Sequence, residues 1–197
     1  MTISGVILAG GQSSRYGKPK MFEQYKGIPF YRHSVNALLE SGIESVYIIT
    51  NEQLSMDFDQ TDAKLLIEKE IHEGPLAALT FAMDSIKEAD WYIVLAADIP
   101  FITPELVQAL IEHTTVTDPT IDAIVPVTGE KEQPLIAMYH RRCLPIALDL
   151  LKNNRKSMRP LLHKGKIKYI QFPDNQVEFT NINYESDWKK LKNEERR

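Results

Sequence analysis

The chain has 197 residues, 43% hydrophobic and 25% charged, the make-up of a soluble globular protein long enough to bury a full core in one α/β domain. A net charge of -4 argues against broad nucleic-acid binding, because the cations gather in short stretches and do not dominate the surface. Cys143 is the single cysteine, which excludes an intramolecular disulfide and a zinc cluster, and no apolar run reaches bilayer length, so membrane insertion is not expected. Met1-Thr2-Ile3 leads straight into an apolar segment with no basic leader or cleavage site, and the expected compartment is the cytoplasm.

In chain order, residues 4–8 read as a strand that Gly10 and Gly11 bring to an end. Lacking Cβ atoms, these glycines let the backbone turn sharply and aim successive N–H groups at an anion. Arg15, Lys18 and Lys20 add positive charge to the same loop, so the ligand it suits is a polyphosphate. The loop is not a P-loop, since five residues separate Gly11 from Gly17 and Pro19 follows Lys18 where a hydroxyl is needed. Nor do its glycines follow the dinucleotide fingerprint.

Residues 29–42 form a helix with Pro near its start and Gly at its stop, and 45–50 a strand of buried type, which completes a βαβ unit. Residues 51–62 look polar and irregular, and 64–67 form a short strand that delivers the chain to Glu68. From Pro75 a helix runs to about residue 87. Residues 91–97 are the strongest strand, a nearly unbroken apolar run suited to the centre of a sheet, and it presents Asp98 at its tip. Thr103 caps the next helix, with Pro104 in its first turn. Strands at 121–127 and 134–139 joined by a polar loop, helices at 144–151 and 158–163, a strand at 167–172 and a last helix at 186–192 complete the reading. Alternating strands and helices imply a mostly parallel sheet covered on both faces, with ligands at the carboxyl ends of the strands.

The ordered set Leu8-Ala9-Gly10-Gly11, Ser13, Arg15, Gly17 and Lys20 resembles the signature of nucleotidyltransferases, and is most similar to the molybdenum cofactor guanylyltransferase (MobA) family. The resemblance implies a Rossmann-like three-layer α/β/α sandwich as a single domain over 1–197, with a nucleotide-binding part to about residue 120 and an acceptor side from about 121. It implies transfer of GMP from Mg-GTP to the terminal phosphate of the molybdopterin cofactor, with Mg²⁺ as cofactor and transient contacts with other proteins of cofactor biosynthesis.

Residue by residue, the resemblance puts catalysis on Arg15, Lys20 and Asp98, and Mg²⁺ on Asp98. It puts GTP on Leu8, Ala9, Gly10, Gly11, Ser13, Lys20, Glu68, Gly74, Pro75, Leu76 and Asp98, with Glu68 standing where Asp is more usual. Gln133, Asn181 and Asn183 fall at its acceptor positions. Plainer roles stand beside these: Asp98 capping a turn, Gly74-Pro75 as a loop-helix junction, Gln133, Asn181 and Asn183 fastening turns, Cys143 as a small buried residue, and His72 and His163 at the surface or in the core. The basic tail 189–197 reads as a solvated helix end. Two rival functions remain at this point. Cytidylyl- and sugar-phosphate nucleotidyltransferases share the fold but usually carry Leu-Ala-Ala-Gly; a non-catalytic GTP-binding regulator would have little use for Arg15, Lys20 and Asp98 together.

Overall fold

The computed structural model describes residues 1–11, 16–59, 62–69, 73–116, 118–180, 182 and 188. The chain opens with β1 (Ile3–Leu8), then a hairpin of β2 (Gln24–Tyr25) and β3 (Ile28–Pro29) that runs directly into α1 (Phe30–Glu40). Next come β4 (Val46–Asn51), the one-turn helix α2 (Glu52–Ser55), β5 (Lys64–Glu68), α3 (Pro75–Ser85), β6 (Trp91–Ala96) and α4 (Pro104–Val116). The remainder holds β7 (Ala123–Thr128), β8 (Lys131–Glu132), β9 (Ile136–His140), α5 (Cys143–Lys152), α6 (Arg159–Lys164) and β10 (Ile167–Phe172). Among the described residues no helix is long and apolar enough to cross a membrane.

The main sheet has the spatial order β5-β4-β1-β6-β9-β7-β10, with β8 folded back on β7. β9 runs antiparallel to both of its neighbours, whereas the β5-β4-β1-β6 half is wholly parallel. Alternate residues of each strand feed two cores. Ile7, Ile48, Ile93 and Met138 face α1 and α4, while Val6, Ile49, Val94 and Tyr139 face α3, α5 and α6. This is the three-layer α/β/α sandwich expected of alternating strands and helices. Burial on both faces explains why β6 reads as a continuous apolar run and β1 and β4 are largely apolar.

Three elements depart from the sequence reading. The supposedly irregular stretch 51–62 contains α2, which forms because the Asn51 side chain accepts a hydrogen bond from Leu54 N at 3.2 Å and caps it. The supposed loop 128–133 contains β8, paired with β7 through Val127–Glu132 and Thr128–Lys131. The β2-β3 hairpin turns at Lys26 and Gly27, both at positive φ, the geometry that tight two-residue hairpin turns require. The helix expected at 186–192 lies outside the described residues apart from Trp188.

Candidate active site

The chain builds β1, β4 and β5 outward on one side and then crosses back to place β6 on the other side of β1. The strand order therefore reverses between β1 and β6, and in such sheets a crevice opens at the carboxyl ends of these two strands. Register fixes what meets there. Leu8 lies opposite Ala96, and Ala97 N still bonds Leu8 O at 3.1 Å, so Gly10 and Asp98 leave the sheet side by side. A cleft of about 370 Å³ occupies this position, with Gly10, Gly11, Glu68, Gly74 and Asp98 among its lining residues.

Lys20 opens a short 3₁₀ turn (Lys20–Phe22) behind Pro19. Its ammonium lies 2.7 Å from Asp98 Oδ2 and donates to the carbonyl of Ile182 at 2.7 Å. With side chains only 12% and 30% exposed, Lys20 and Asp98 form a sheltered ion pair at the floor of the site. Pro100 keeps the chain beyond Asp98 from extending the ladder. A lysine and a carboxylate held together in this way offer an anion a placed point charge and a metal a carboxylate ligand.

Glu68, the last residue of β5, reaches over to the glycine loop. A Cβ at Gly10 would fall 2.9 Å from Glu68 Oε2, so the absence of a side chain at 10 is what lets the carboxyl sit there. Burial pushes the Glu68 carboxyl up to about 7, which leaves it a mixture of acid and carboxylate at neutral pH. On the far wall Gly74 has φ 86°, and a Cβ there would approach the Lys156 carbonyl oxygen to 2.8 Å. Pro75 then opens α3.

The structure thus gathers Leu8, Gly10, Gly11, Glu68, Gly74, Pro75 and Asp98 around one cleft, with Lys20 tied to Asp98. Ala9 and Leu76 are instead core residues by side chain, and Leu76 N donates to Lys156 O at 3.2 Å, so that helix-terminal amide is already engaged by the protein. Gln133 is fastened within its own hairpin by a 2.8 Å bond to Thr128 Oγ1, while Leu135, two residues on, reaches the cleft. Ser13, Arg15, His72, Asn181 and Asn183 lie outside the described residues. Cys143 is fully buried and its thiol is pushed up to about 12, which makes it an inert core group; His163 is exposed.

Beyond Ala96 and Ala97, which lead into Asp98, sequence reading missed Met21, Glu73, Ala78 and Leu135 as lining residues. Glu73 carried a faint signal, as a charge beside Gly74-Pro75, and in the structure it pairs with Lys156 Nζ at 2.6 Å. The apolar three carried none, since a cleft wall and a core position call for the same side chains.

Comparison with known proteins agrees with this geometry. Residues 5–168 match the MobA-like NTP transferase domain. The chain is 33% identical over 191 residues to a probable molybdenum cofactor guanylyltransferase of Bacillus mycoides, and 34% identical to one of Bacillus cereus strain Q1, in each case across 94% of this chain and 93% of the relative. Among solved structures it is similar to molybdopterin-guanine dinucleotide biosynthesis protein A of Archaeoglobus fulgidus, at TM-score 0.75 and 20% identity over 96% of this chain and 97% of that one. A CMP:2-keto-3-deoxy-manno-octonic acid synthetase complexed with CTP superposes at TM-score 0.78 with 17% identity, over 98% of both chains. Fold and sequence together define an enzyme of the nucleotidyltransferase class. Within that class the chain belongs to the MobA-like NTP transferase family, whose members usually use a divalent metal.

Proposed function

We propose that the protein transfers GMP from Mg-GTP to the terminal phosphate of molybdopterin, forming molybdopterin guanine dinucleotide and pyrophosphate. The observation that supports this most is the Lys20–Asp98 pair at the strand-order reversal, facing a glycine loop, in a chain one-third identical to probable molybdenum cofactor guanylyltransferases. An oxygen of the acceptor phosphate attacks the α-phosphorus, and the bond from that phosphorus to the β-bridging oxygen breaks, so pyrophosphate departs with the bonding electrons. The nucleophile is already an anion and needs no general base; positioning and charge neutralisation carry the rate.

In this reading Lys20 and Arg15, with the amides of the loop from Gly10 through Ser13, offset charge on the α-phosphate and the departing pyrophosphate. Asp98 would hold Mg²⁺, which when bound neutralises phosphate oxygens. The donor set fits such an ion: Asp98 brings a part-exposed carboxylate to the cleft beside the glycine loop, and Mg²⁺ on nucleotides takes one or two carboxylates with waters and phosphate oxygens. Glu68 as carboxylate would accept from N1 and N2 of guanine beside Gly10, with Leu8, Ala9, Gly11, Gly74, Pro75 and Leu76 shaping the rest of the nucleotide site. The acceptor would lie toward Gln133, Asn181 and Asn183. The chain is read as one domain working in the cytoplasm on two small-molecule substrates, without nucleic acid or membrane.

The test is incubation with Mg²⁺, molybdopterin and GTP, ATP or CTP in turn, followed by mass analysis of the product. The expected product is the guanine dinucleotide, with GTP preferred by about a hundredfold in kcat/KM, on the order of 3 kcal/mol, because a hydrogen-bonding site leaves groups unpaired with the wrong base. Comparable rates with GTP and CTP would remove the guanylyl assignment and leave the nucleotidyltransferase class standing.

A further inference from the structure

Two residues from the C-terminal part of the chain, Ile182 and Trp188, pack beside the stretches of chain that carry Lys20 and Asp98. Ile182 is fully buried and Trp188 almost so, in a small core with Tyr16 of the glycine loop and Phe30 at the start of α1, and Tyr25 and Phe101 pack against it. The Trp188 ring meets Phe30 edge-on at 4.9 Å and 90°, Tyr25 at 5.8 Å, and Phe101 at 6.5 Å. Phe101 lies three residues after Asp98, and Tyr25 five after Lys20. This core is separate from the two that flank the sheet, and it joins the stretches of chain on either side of Lys20 to the one that follows Asp98.

It reaches the site through the Ile182 carbonyl, among other contacts, which receives Lys20 Nζ at 2.7 Å. A lysine side chain has many rotamers and gives up that freedom when it is held in one place. Here Asp98 Oδ2 and Ile182 O both hold it there. We infer that Trp188 is a positioning residue, which by packing on Phe30, Tyr25 and Phe101 holds the Ile182 carbonyl where it aims the Lys20 ammonium at the transferring phosphates. The inference rests on the proposed function for what Lys20 does, though not for where Lys20 is held.

Two measurements test it, and they are independent. The first is the rate at which the Lys20 amine is acylated by a water-soluble ester, read by peptide mass analysis with the exposed Lys64 and Lys168 as internal references. Trp188→Ala should raise the Lys20 rate at least about fivefold relative to those references, and Trp188→Phe should restore protection, because tertiary packing of this kind is lost with the ring. An unchanged Lys20 rate in Trp188→Ala overturns the inference whatever the activity. The second is a mutant cycle on transfer kinetics. Trp188→Ala should lower kcat about tenfold with KM for GTP within about threefold, and in a Lys20→Ala background it should cost nothing further, as expected of residues acting through one another. Losses that simply multiply would overturn the inference by making Trp188 a general structural residue. Should Trp188→Ala fail to fold, Trp188→Leu carries the same criteria while keeping apolar volume. A Lys20→Ala enzyme with unimpaired transfer would sink the proposed role of Lys20 and leave the acylation experiment to decide the positioning claim.

Discussion

Asp98 and Glu68 both present carboxyls to the cleft, and their surroundings set them to different work. Asp98 faces an ammonium at 2.7 Å and Glu68 faces a glycine across a desolvated gap. Asp98→Asn keeps the shape and removes the charge, so it should leave the fold intact and lower kcat by two to three orders of magnitude, about 3–4 kcal/mol. Steady-state kinetics at saturating Mg²⁺ and GTP check this, and activity within about threefold of wild type would take Asp98 out of the metal role. For Glu68 the sign is opposite to that of an ion-paired carboxyl. Its folded-state value, about 7, lies above the ordinary 4.5, so the folded protein binds the proton more tightly than the unfolded chain and loses stability as pH rises between those values. Glu68→Gln should therefore be more stable than wild type above about pH 7, by about 1–2 kcal/mol after allowing for solvent screening, and no more stable below about pH 4.5. Guanine donors favour the carboxylate form. The GTP affinity of the wild type divided by that of the Glu68→Gln variant should thus grow up to about tenfold from pH 6 to pH 8, measured by titration calorimetry. A flat ratio would separate Glu68 from the base. Sequence alone led to this residue only through the resemblance, as a Glu standing where Asp is more usual. The contact that settles its place beside Gly10 is a long-range one, from the end of β5 across to the loop after β1, which no local pattern encodes.

At the scale of elements, the ends of helices were the most legible features because their signals are local. Gly42, at φ 85°, lies two residues past the end of α1, and Thr103 Oγ1 accepts from Leu106 N at 3.3 Å as the cap of α4. α2, β8 and the β2-β3 hairpin escaped notice because their elements span two to four residues, too few to show a hydrophobic period. The start of α3 joins both cases. Gly74-Pro75 was readable as a helix start, but its dependence on Lys156 was not, since the partner lies 82 residues away. Positive φ and a 2.8 Å approach to a backbone oxygen leave a side chain at 74 no easy relief. Gly74→Ala should cost about 2–3 kcal/mol, about 1 of it from the backbone conformation and the rest from displacing the Lys156 segment. Urea unfolding would measure it, and a loss below about 0.5 kcal/mol would show that the junction relaxes around the methyl group.

For the molecule as a whole, alternation of strands and helices was enough to specify a covered, mostly parallel sheet, whereas the spatial order was not. Nothing in residues 136–140 says that β9 inserts antiparallel between β6 and β7, because the same apolar run would serve beside either neighbour. What the order accomplishes is to open the crevice between β1 and β6, with Glu68 arriving from the β5 edge and Lys20 and Ile182 from segments outside the sheet. A ligand seated there joins parts of the chain that are far apart in sequence, so its binding should register in global unfolding. At a hundred times its Kd a ligand specific for the folded state adds about 2.7 kcal/mol, which for a chain of this size is a rise of about 5–10 °C in Tm. GTP with Mg²⁺ should produce a shift of this order, and CTP with Mg²⁺ at the same concentration should produce far less. The metal arm follows from the proposal that Asp98 gives Mg²⁺ one carboxylate and the triphosphate gives it the rest: Mg²⁺ without nucleotide should move Tm by less than about 1 °C, and a chelator added to the GTP complex should remove part of its shift. A large shift from Mg²⁺ alone would mean that the protein holds the metal without the triphosphate, and the single-carboxylate account of Asp98 would then have to be abandoned.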